Sequence, residues 1–302
     1  MGIMDDRMKL NPSQINVLEQ LGAKLEERPE FNDDLQRLLK TELEERSREL
    51  SSAIPSNETL FISKYHLNQI MRCENQFKYE REQQFEWSVP TARGTISHKA
   101  IELSAFWNQP NVDPLTLVDE AINRSKDGTD GLAQWLRNLS EGDAAQLRGD
   151  VNNRVASFLE TWPPLEKQWR PMLEAPIRVE LAEGKIILSG KVDLSLGRPL
   201  GNTAGKVIVD FKTGNFYPAH REDVRFYALL EAIRIGVPPR LVATYYLDRA
   251  EFTPEVISEN VLRASLARVI DGMQRIVEIL YQESETKRCS WDRCQWCAEE
   301  HN

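Results

Sequence analysis

The sequence predicts an α/β protein that carries a helical region at its N-terminus. Two observations lead to this fold class. Apolar residues recur at helical spacing in residues 12–50, and short apolar or alternating stretches typical of β-strands occupy residues 177–214. A helix, a strand and a longer helix follow, up to residue 283. This order predicts a sheet covered by helices.

The bulk composition is that of an ordinary globular protein. The 302 residues suffice for one large domain or two small ones, and 41% are hydrophobic while 28% are charged. The net charge of −9 argues against non-specific binding of nucleic acid, although it leaves room for a local basic groove. No apolar run has the length of a membrane span, and the first residues lack the apolar segment of a signal peptide. We therefore expect a cytoplasmic protein without a membrane partner.

The N-terminal region is predicted to be helical. Asn11 and Pro12 form a favourable helix start. Residues 31–50 are a second, charge-rich stretch with a thin apolar stripe, which favours a solvated or partner-facing helix. A serine-rich segment at 51–59 is typical of a linker. We accordingly divide the chain into a helical N-terminal region, 1–60, and a second domain, 61–302.

The centre of the chain is also predicted to be helical. Ser63 is a suitable N-cap for a helix through residues 64–82. Gly94 precedes a further helix at 95–107, and most of residues 111–170 form a helical insertion before the strands.

Three predicted strands follow the insertion. They have the sequences IRVEL, KIILSGKVDLSLG and KVIVDFKTG, and the segment AEGK is a suitable tight turn between the first two. The stretch REDVRFYALLEAIRIG returns to helical spacing and ends at Gly236. The chain then continues with the strand LVATYYLD and a long amphipathic helix at 256–283.

Two aspartates and a lysine stand in these strands. Asp193 points away from the face of its apolar neighbours, and Lys212 lies on the same strand face as Asp210. If the two strands pair, both carboxylates and the ammonium group converge. Because adjacent carboxylates need compensation, a magnesium or manganese ion is one explanation. A salt-bridge network between strands is the other.

Four segments together resemble the PD-(D/E)XK nuclease superfamily, in its RecB-like branch. The segments SGKVDLSLG and VIVDFKTG resemble its second and third motifs, and RGTISHKAIE resembles the first, which carries a metal-binding histidine. The segment DVRFYALLEA resembles a helix that usually carries Gln-x-x-x-Tyr. Tyr227 matches this pattern, whereas Asp223 replaces the glutamine.

The resemblance implies a restriction-endonuclease-like core, in which a mixed sheet is flanked by helices. It implies a metal-dependent DNA nuclease, an exonuclease that prefers single strands or free ends. The implied site residues are the ligands His98, Asp193 and Asp210, the carbonyl of Phe211 and the catalytic Lys212. Arg93 and Tyr227, which lie within motifs, are candidate DNA contacts.

The four cysteines predict a second metal centre. Cys289, Cys294 and Cys297 form a C-x4-C-x2-C pattern, and Cys73 lies far upstream. Four thiolates bind either zinc or an iron–sulfur cluster, and their spacing does not separate the two.

The cysteine order also resembles that of RecB-like nucleases of the AddB and CRISPR-associated types. Those proteins carry a structural 4Fe–4S cluster, which we therefore expect here. Two differences from that pattern keep zinc as an alternative. Glu74 replaces the usual proline after the first cysteine, and the spacing of the three C-terminal cysteines differs. The alternative function is a non-catalytic, cluster-bearing DNA-binding or scaffold subunit of a repair, CRISPR-adaptation or phage-defence complex. A helicase is a further possible partner.

Overall fold

The computed structural model describes residues 10–107, 112–290 and 294–298. Two α-helices precede the first strand, α1 (Pro12–Leu21) and α2 (Asp34–Ser51). Six lie between the first and second strands: α3 (Lys64–Arg72), α4 (Glu74–Glu82), α5 (Val89–Phe106), α6 (Pro114–Lys126), α7 (Gly131–Arg137) and α8 (Glu141–Thr161). Later in the chain are α9 (Ala219–Ile235), α10 (Glu259–Tyr281) and α11 (Gln295–Ala298). The strands are β1 (Leu60–Ile62), β2 (Met172–Leu181), β3 (Ile186–Leu196), β4 (Val207–Lys212), β5 (Leu241–Tyr246) and β6 (Glu251–Val256).

These strands form one mixed sheet, as predicted. Its order is β1-β3-β4-β5-β6, and β2 pairs with β3 as a hairpin. The β1–β3 and β4–β5 pairs are parallel, whereas the β2–β3, β3–β4 and β5–β6 pairs are antiparallel. The long strand β3 therefore contacts β1 through its first half and β4 through its second half. Strands β3 and β4 pair only over residues 194–196 and 207–209, so Asp193 and Asp210 stand next to the last pair.

Both faces of the sheet are covered by helices. On one face, α2, α3, α9 and α10 bury apolar side chains against Leu188 and Ile208. On the other face, α1 and α8 pack against Val209 and Phe211, with Phe158 and Trp162 at the centre. Helices α6 to α8, which form the predicted helical insertion, share a third apolar cluster with α5. The prediction of a mixed sheet flanked by helices is confirmed.

The N-terminal region differs from the prediction in two respects. Residues 22–33 are not α-helical, because Pro29 lacks the N–H that a helix needs and its carbonyl accepts a bond from Ala204 N at 2.9 Å. The second helix, α2, was expected to face solvent or a partner. This interpretation is wrong for its apolar stripe, which faces the protein core. Leu35, Leu39 and Leu43 of α2 are buried in the core beside the sheet.

Two further helix boundaries also differ. The expected helix over 64–82 is broken at Cys73, whose extended backbone ends α3 and whose sulfur accepts a bond from Gln76 N at 3.4 Å to begin α4. Helix α5 begins at Val89 and not after Gly94, because Ser88 supplies the N-cap. The Ser63 cap is confirmed, since its hydroxyl accepts from the amide of His66.

Two short strands had no clear signal in the sequence. Strand β1 has only three residues, and β6 contains Pro254 and lies exposed at the sheet edge, where proline is tolerated. No described helix combines the length and the apolar character that crossing a bilayer requires.

Candidate active site and cysteine cluster

The pairing of β3 with β4 places Asp193 and Asp210 side by side. The last antiparallel pair in the register is Leu194 with Val209, and the two aspartates stand one step further along their strands. A carboxylate oxygen of Asp193 accepts a hydrogen bond from the Phe211 amide at 2.6 Å. Both aspartates are buried, and Asp210 has no exposed surface. Two acidic groups in such a position require compensating charge.

The first group of polar side chains surrounds Asp193. Helix α5 directs His98 toward it, with Nδ1 at 3.2 Å from Asp193 Oδ1 and 3.6 Å from Glu174 Oε1. One donor atom from each of these three residues lies within 4.8 Å of the other two. Burial disfavours the imidazolium, but Asp193 and Glu174 outweigh it and raise the pKa of His98 to about 10. Without a bound cation, this histidine is protonated at neutral pH.

Glu174 is a member of the site that the sequence interpretation missed. It lies on β2, directly across from Asp193 between the pairs Leu173–Leu194 and Ala175–Val192. Its backbone has a φ of 50°, a conformation that is unfavourable for glutamate. Its position could have been found by counting back from the tight turn between β2 and β3, because the register of a hairpin follows from its turn.

The second group of polar side chains surrounds Asp210. One oxygen of Asp210 lies 2.5 Å from Lys64 Nζ and the other lies 2.8 Å from Lys212 Nζ. Lys212 also donates to Asp223 at 2.6 Å, and Asn68 binds the second oxygen of Asp223 at 2.6 Å. Burial opposes ionisation of Asp210, but the two lysines hold its pKa well below the ordinary range. Two lysines and two aspartates thus form a closed, neutral ring of charge.

The four predicted residues lie in two neighbouring groups, beside the last β3–β4 pair: His98 contacts Asp193, and Lys212 contacts Asp210. The donor atoms that lie within 4.8 Å of one another belong to His98, Glu174 and Asp193, and Asp210 is not among them. Carboxylate oxygens and an imidazole nitrogen suit a magnesium or manganese ion, so the chemistry of the side chains fits such a metal. The role of the Phe211 carbonyl stays a prediction. Asp223 anchors the Lys212 ammonium group, a function the sequence left open.

The two candidate DNA contacts, Tyr227 and Arg93, lie in different surroundings. Only 1% of Tyr227 is exposed, and its hydroxyl donates to the carbonyl of Lys191 at 2.7 Å. The prediction that this tyrosine contacts DNA is therefore wrong for its ring, which packs inside the protein. Arg93 pairs with Asp150 of α8 at 3.3 Å, and its contact with DNA stays a prediction.

The four cysteines lie close together in the fold, although Cys73 is far from the other three in the sequence. Cys73, at the junction of α3 and α4, lies 3.6 Å from Cys294 and 3.7 Å from Cys297 between sulfur atoms, and Cys289 lies 3.7 Å from Cys297. All four sulfur atoms are within 4.8 Å of one another. Four thiolates placed ~2.3 Å from one tetrahedral ion stand about 3.8 Å apart, so the group fits a metal.

Solved structures similar to this chain share little of its sequence. A "putative exonuclease" from Eubacterium rectale is 14% identical with a TM-score of 0.49, and the match covers 80% of this chain and 88% of that one. Rai1 from Scheffersomyces stipitis is 12% identical with a TM-score of 0.26, over 91% of this chain and 76% of that one. These similarities are too low to bear on function.

No curated protein sequence matches the chain. The model of one protein family does match it, over residues 62–300, and that range includes the strands β3 and β4, the helix with His98 and all four cysteines. This chain belongs to the PD-(D/E)XK nuclease superfamily.

Proposed function

We propose that this chain is a metal-dependent deoxyribonuclease of the RecB-like branch, which hydrolyses phosphodiester bonds. The observation that carries the proposal is that Asp193, paired with His98, and Asp210, paired with Lys212, stand on neighbouring strands beside the last β3–β4 pair. We further propose that it acts as an exonuclease on single strands or free ends. A role in DNA repair and a helicase partner are also proposed, and these two rest on the family resemblance alone.

The proposed metal ligands are His98, Asp193 and Asp210, together with the Phe211 carbonyl; Glu174 is added because it completes the group around His98. A bound magnesium or manganese ion would supply charge neutralisation at the phosphate and a water of lowered pKa. Lys212 would stabilise the extra negative charge that develops on the phosphate, and Asp223 keeps its ammonium group in place.

We propose that the four cysteines hold a structural metal centre. Two occupants have separate support. The order of the cysteines, one before the first motif and three after the last, supports a 4Fe–4S cluster. The sulfur separations of 3.6 and 3.7 Å support a single zinc ion, because a four-iron cluster would stand between the thiolates and keep them further apart. Metal analysis and the visible absorption of the anaerobically purified protein separate these two.

The proposed nuclease domain covers residues 61–302 and is preceded by the helical region 1–60. The family match from residue 62 supports this boundary. The N-terminal helices nevertheless share the core of the nuclease domain, since α2 packs against α9 and α10. We therefore expect the region 1–60 to be required for stability.

One observation favours a second candidate function, a non-catalytic DNA-binding or scaffold subunit. Each oxygen of Asp210 lies close to a lysine ammonium group, so the charge of Asp210 is balanced without a metal, although its Oδ2 atom receives no hydrogen bond. In such a subunit the ring would serve as a structural ion-pair network.

The experiment that separates the two candidates compares Lys212→Ala with Lys40→Ala, a change at an exposed lysine of α2. The nuclease proposal predicts that Lys212→Ala loses DNA cleavage while it keeps its fold and its cysteine-bound metal, and that Lys40→Ala cleaves like the wild type. Equal cleavage by Lys212→Ala and the wild type would refute the assignment of Lys212.

A further inference from the structure

Two aromatic rings protrude from the loop that directly follows Lys212. The loop spans residues 213–218, between β4 and α9. Phe216 is 55% exposed and Tyr217 is 59% exposed, although large apolar side chains are usually buried. We refer to these two rings as the aromatic platform.

The aromatic platform is anchored to the strand next to the candidate active site. The ring of Phe216 lies 5.9 Å from that of Tyr246, and the ring of Tyr217 lies 5.6 Å from that of His220. His220 Nδ1 is 3.0 Å from the hydroxyl of Tyr246. Tyr246 itself is buried and pairs with Lys212 across β5 and β4. The two exposed rings are thus held at the end of the strand that carries the catalytic lysine.

The turn out of β4 is fixed in place on two sides. Gly214 has a φ of 109°, a conformation that favours glycine, and its amide donates to Asp248 at 2.5 Å. On the other side of the same turn, a side chain at Gly94 of α5 would contact Thr213 at 3.4 Å. The turn therefore lies against the helix that carries His98, and the aromatic platform borders the site.

The size and place of the aromatic platform favour a nucleic-acid base over a protein surface. Two half-exposed rings offer far less than the ~800 Å² per partner of a stable protein interface. Aromatic rings beside a groove that binds phosphates are the usual means of holding unpaired bases, because every base has a face on which a ring can stack. A strand whose phosphate lies at Lys212 has to pass the loop that follows Lys212.

We propose that Phe216 and Tyr217 stack against unpaired bases of a DNA strand that enters the active site, so that the aromatic platform selects single-stranded DNA. This inference rests on the proposed nuclease function and adds the surface that determines the substrate. Bases in a duplex are already stacked on each other, and only an unpaired nucleotide offers its face to the rings.

The test measures DNA binding in the Asp210→Ala background, where no cleavage occurs, with and without Phe216→Ala and Tyr217→Ala together. The probes are a short fluorescent oligothymidylate, a blunt duplex, and an abasic oligonucleotide of equal length that keeps the phosphates. The exposed Phe106 of α5, changed to Ala, is the matched control. We expect the double variant to bind the oligothymidylate at least about tenfold more weakly, given the usual strength of base stacking. Binding of the abasic strand and the duplex should change by less than about twofold.

An equal loss for all three probes would overturn the proposal, because the rings would then act on the fold or on phosphates. Unchanged binding of the oligothymidylate would overturn it as well. If the substitutions instead abolish self-association of the protein in sedimentation experiments, the aromatic platform is an interface between copies. A wild-type chain that binds DNA in this pattern but never cleaves it refutes the nuclease function while the stacking proposal stands.

Discussion

At the scale of single residues, the feature that governs the site is the competition for Asp210. Its two oxygens face Lys64 at 2.5 Å and Lys212 at 2.8 Å, and it is fully buried. A cation that binds Asp210 has to compete with these two ammonium groups. Lys64 is the candidate for displacement, because Lys212 is also held by Asp223 at 2.6 Å while Lys64 lies 3.8 Å from the same carboxylate.

We predict that Lys64→Met increases the affinity of the chain for manganese by about tenfold, or ~1.4 kcal/mol. The reason is that the substitution removes a competing positive charge from one oxygen of Asp210. Titration calorimetry without DNA measures the affinity, and Lys40→Met serves as the control. Unchanged or weaker manganese binding in Lys64→Met would show that Lys64 does not compete with the metal.

His98 gives the metal-free protein a predictable dependence on pH. Its folded-state pKa of about 10 is above its unfolded value, so its ion pairs with Asp193 and Glu174 stabilise the fold fully below the unfolded pKa. This contribution is lost as the pH rises from about 6.5 to about 10. We expect the difference in unfolding free energy between wild type and His98→Asn to be larger at pH 6 than at pH 9.5. Urea unfolding in a chelator measures it, and a difference that is independent of pH would contradict the assignment.

At the scale of elements, the packing of α9 on β3 explains a glycine in the second motif. A side chain at Gly190 would lie 2.7 Å from the buried ring of Tyr227. That ring contacts Lys64, whose ammonium lies 4.7 Å from its centre, and its hydroxyl binds the Lys191 carbonyl. The glycine and the tyrosine therefore belong to one contact, which positions a lysine of the site.

We predict that Gly190→Ala destabilises the protein by about 1–3 kcal/mol, because the ring is rigid and enclosed. The matched control is Gly149→Ala in α8, where a methyl group would meet no atom within 4 Å. This change should stabilise the protein by about 0.5–1 kcal/mol, the usual gain of alanine over glycine in a helix. Thermal or urea unfolding tests both, and a neutral result for Gly190→Ala would mean that Tyr227 has room to move.

The sequence predicted the main elements because their signals are local. Alternation and turn residues identify β2, β3 and β4, and a Ser63 cap identifies the start of α3. From these and the motifs, His98, Asp193, Asp210 and Lys212 could be expected to meet. Glu174 was missed because the predicted strand began only at Ile177, although the turn fixes its register. Lys64 could not be expected there, since its approach depends on where the start of α3 lies in the fold. The break at Cys73 was missed because cysteine gives no strong helix-breaking signal.

At the scale of the whole molecule, the cysteine cluster joins distant parts of the chain. Cys73 precedes the first motif, and Cys297 lies on α11 behind the last one. Other contacts also connect these segments. Arg275 of α10 forms an ion pair with Glu74 of α4 at 2.6 Å, and the ring centres of Trp296 and Tyr79 lie 4.8 Å apart. The proposed metal centre would restrict a very long loop of the unfolded chain and so stabilise the fold.

We predict that Cys73→Ser and Cys73→Ala both lower the content of cysteine-bound metal and the melting temperature. In the metal-free state, Cys73→Ser should be about 1 kcal/mol more stable than Cys73→Ala, because a serine hydroxyl replaces the sulfur as the N-cap of α4. Elemental analysis and unfolding in a chelator measure the two effects separately. A Cys73→Ser protein with a full complement of metal would exclude Cys73 as a ligand.

The central claim is that Asp210 belongs to a metal site that cleaves DNA. It is tested most directly with anaerobically purified wild type and Asp210→Ala, each incubated with end-labelled single- and double-stranded DNA and manganese or magnesium. The proposed function predicts cleavage by the wild type that requires the metal and is lost in Asp210→Ala. A folded, metal-loaded wild type that leaves both DNAs intact would contradict the claim and favour the non-catalytic subunit.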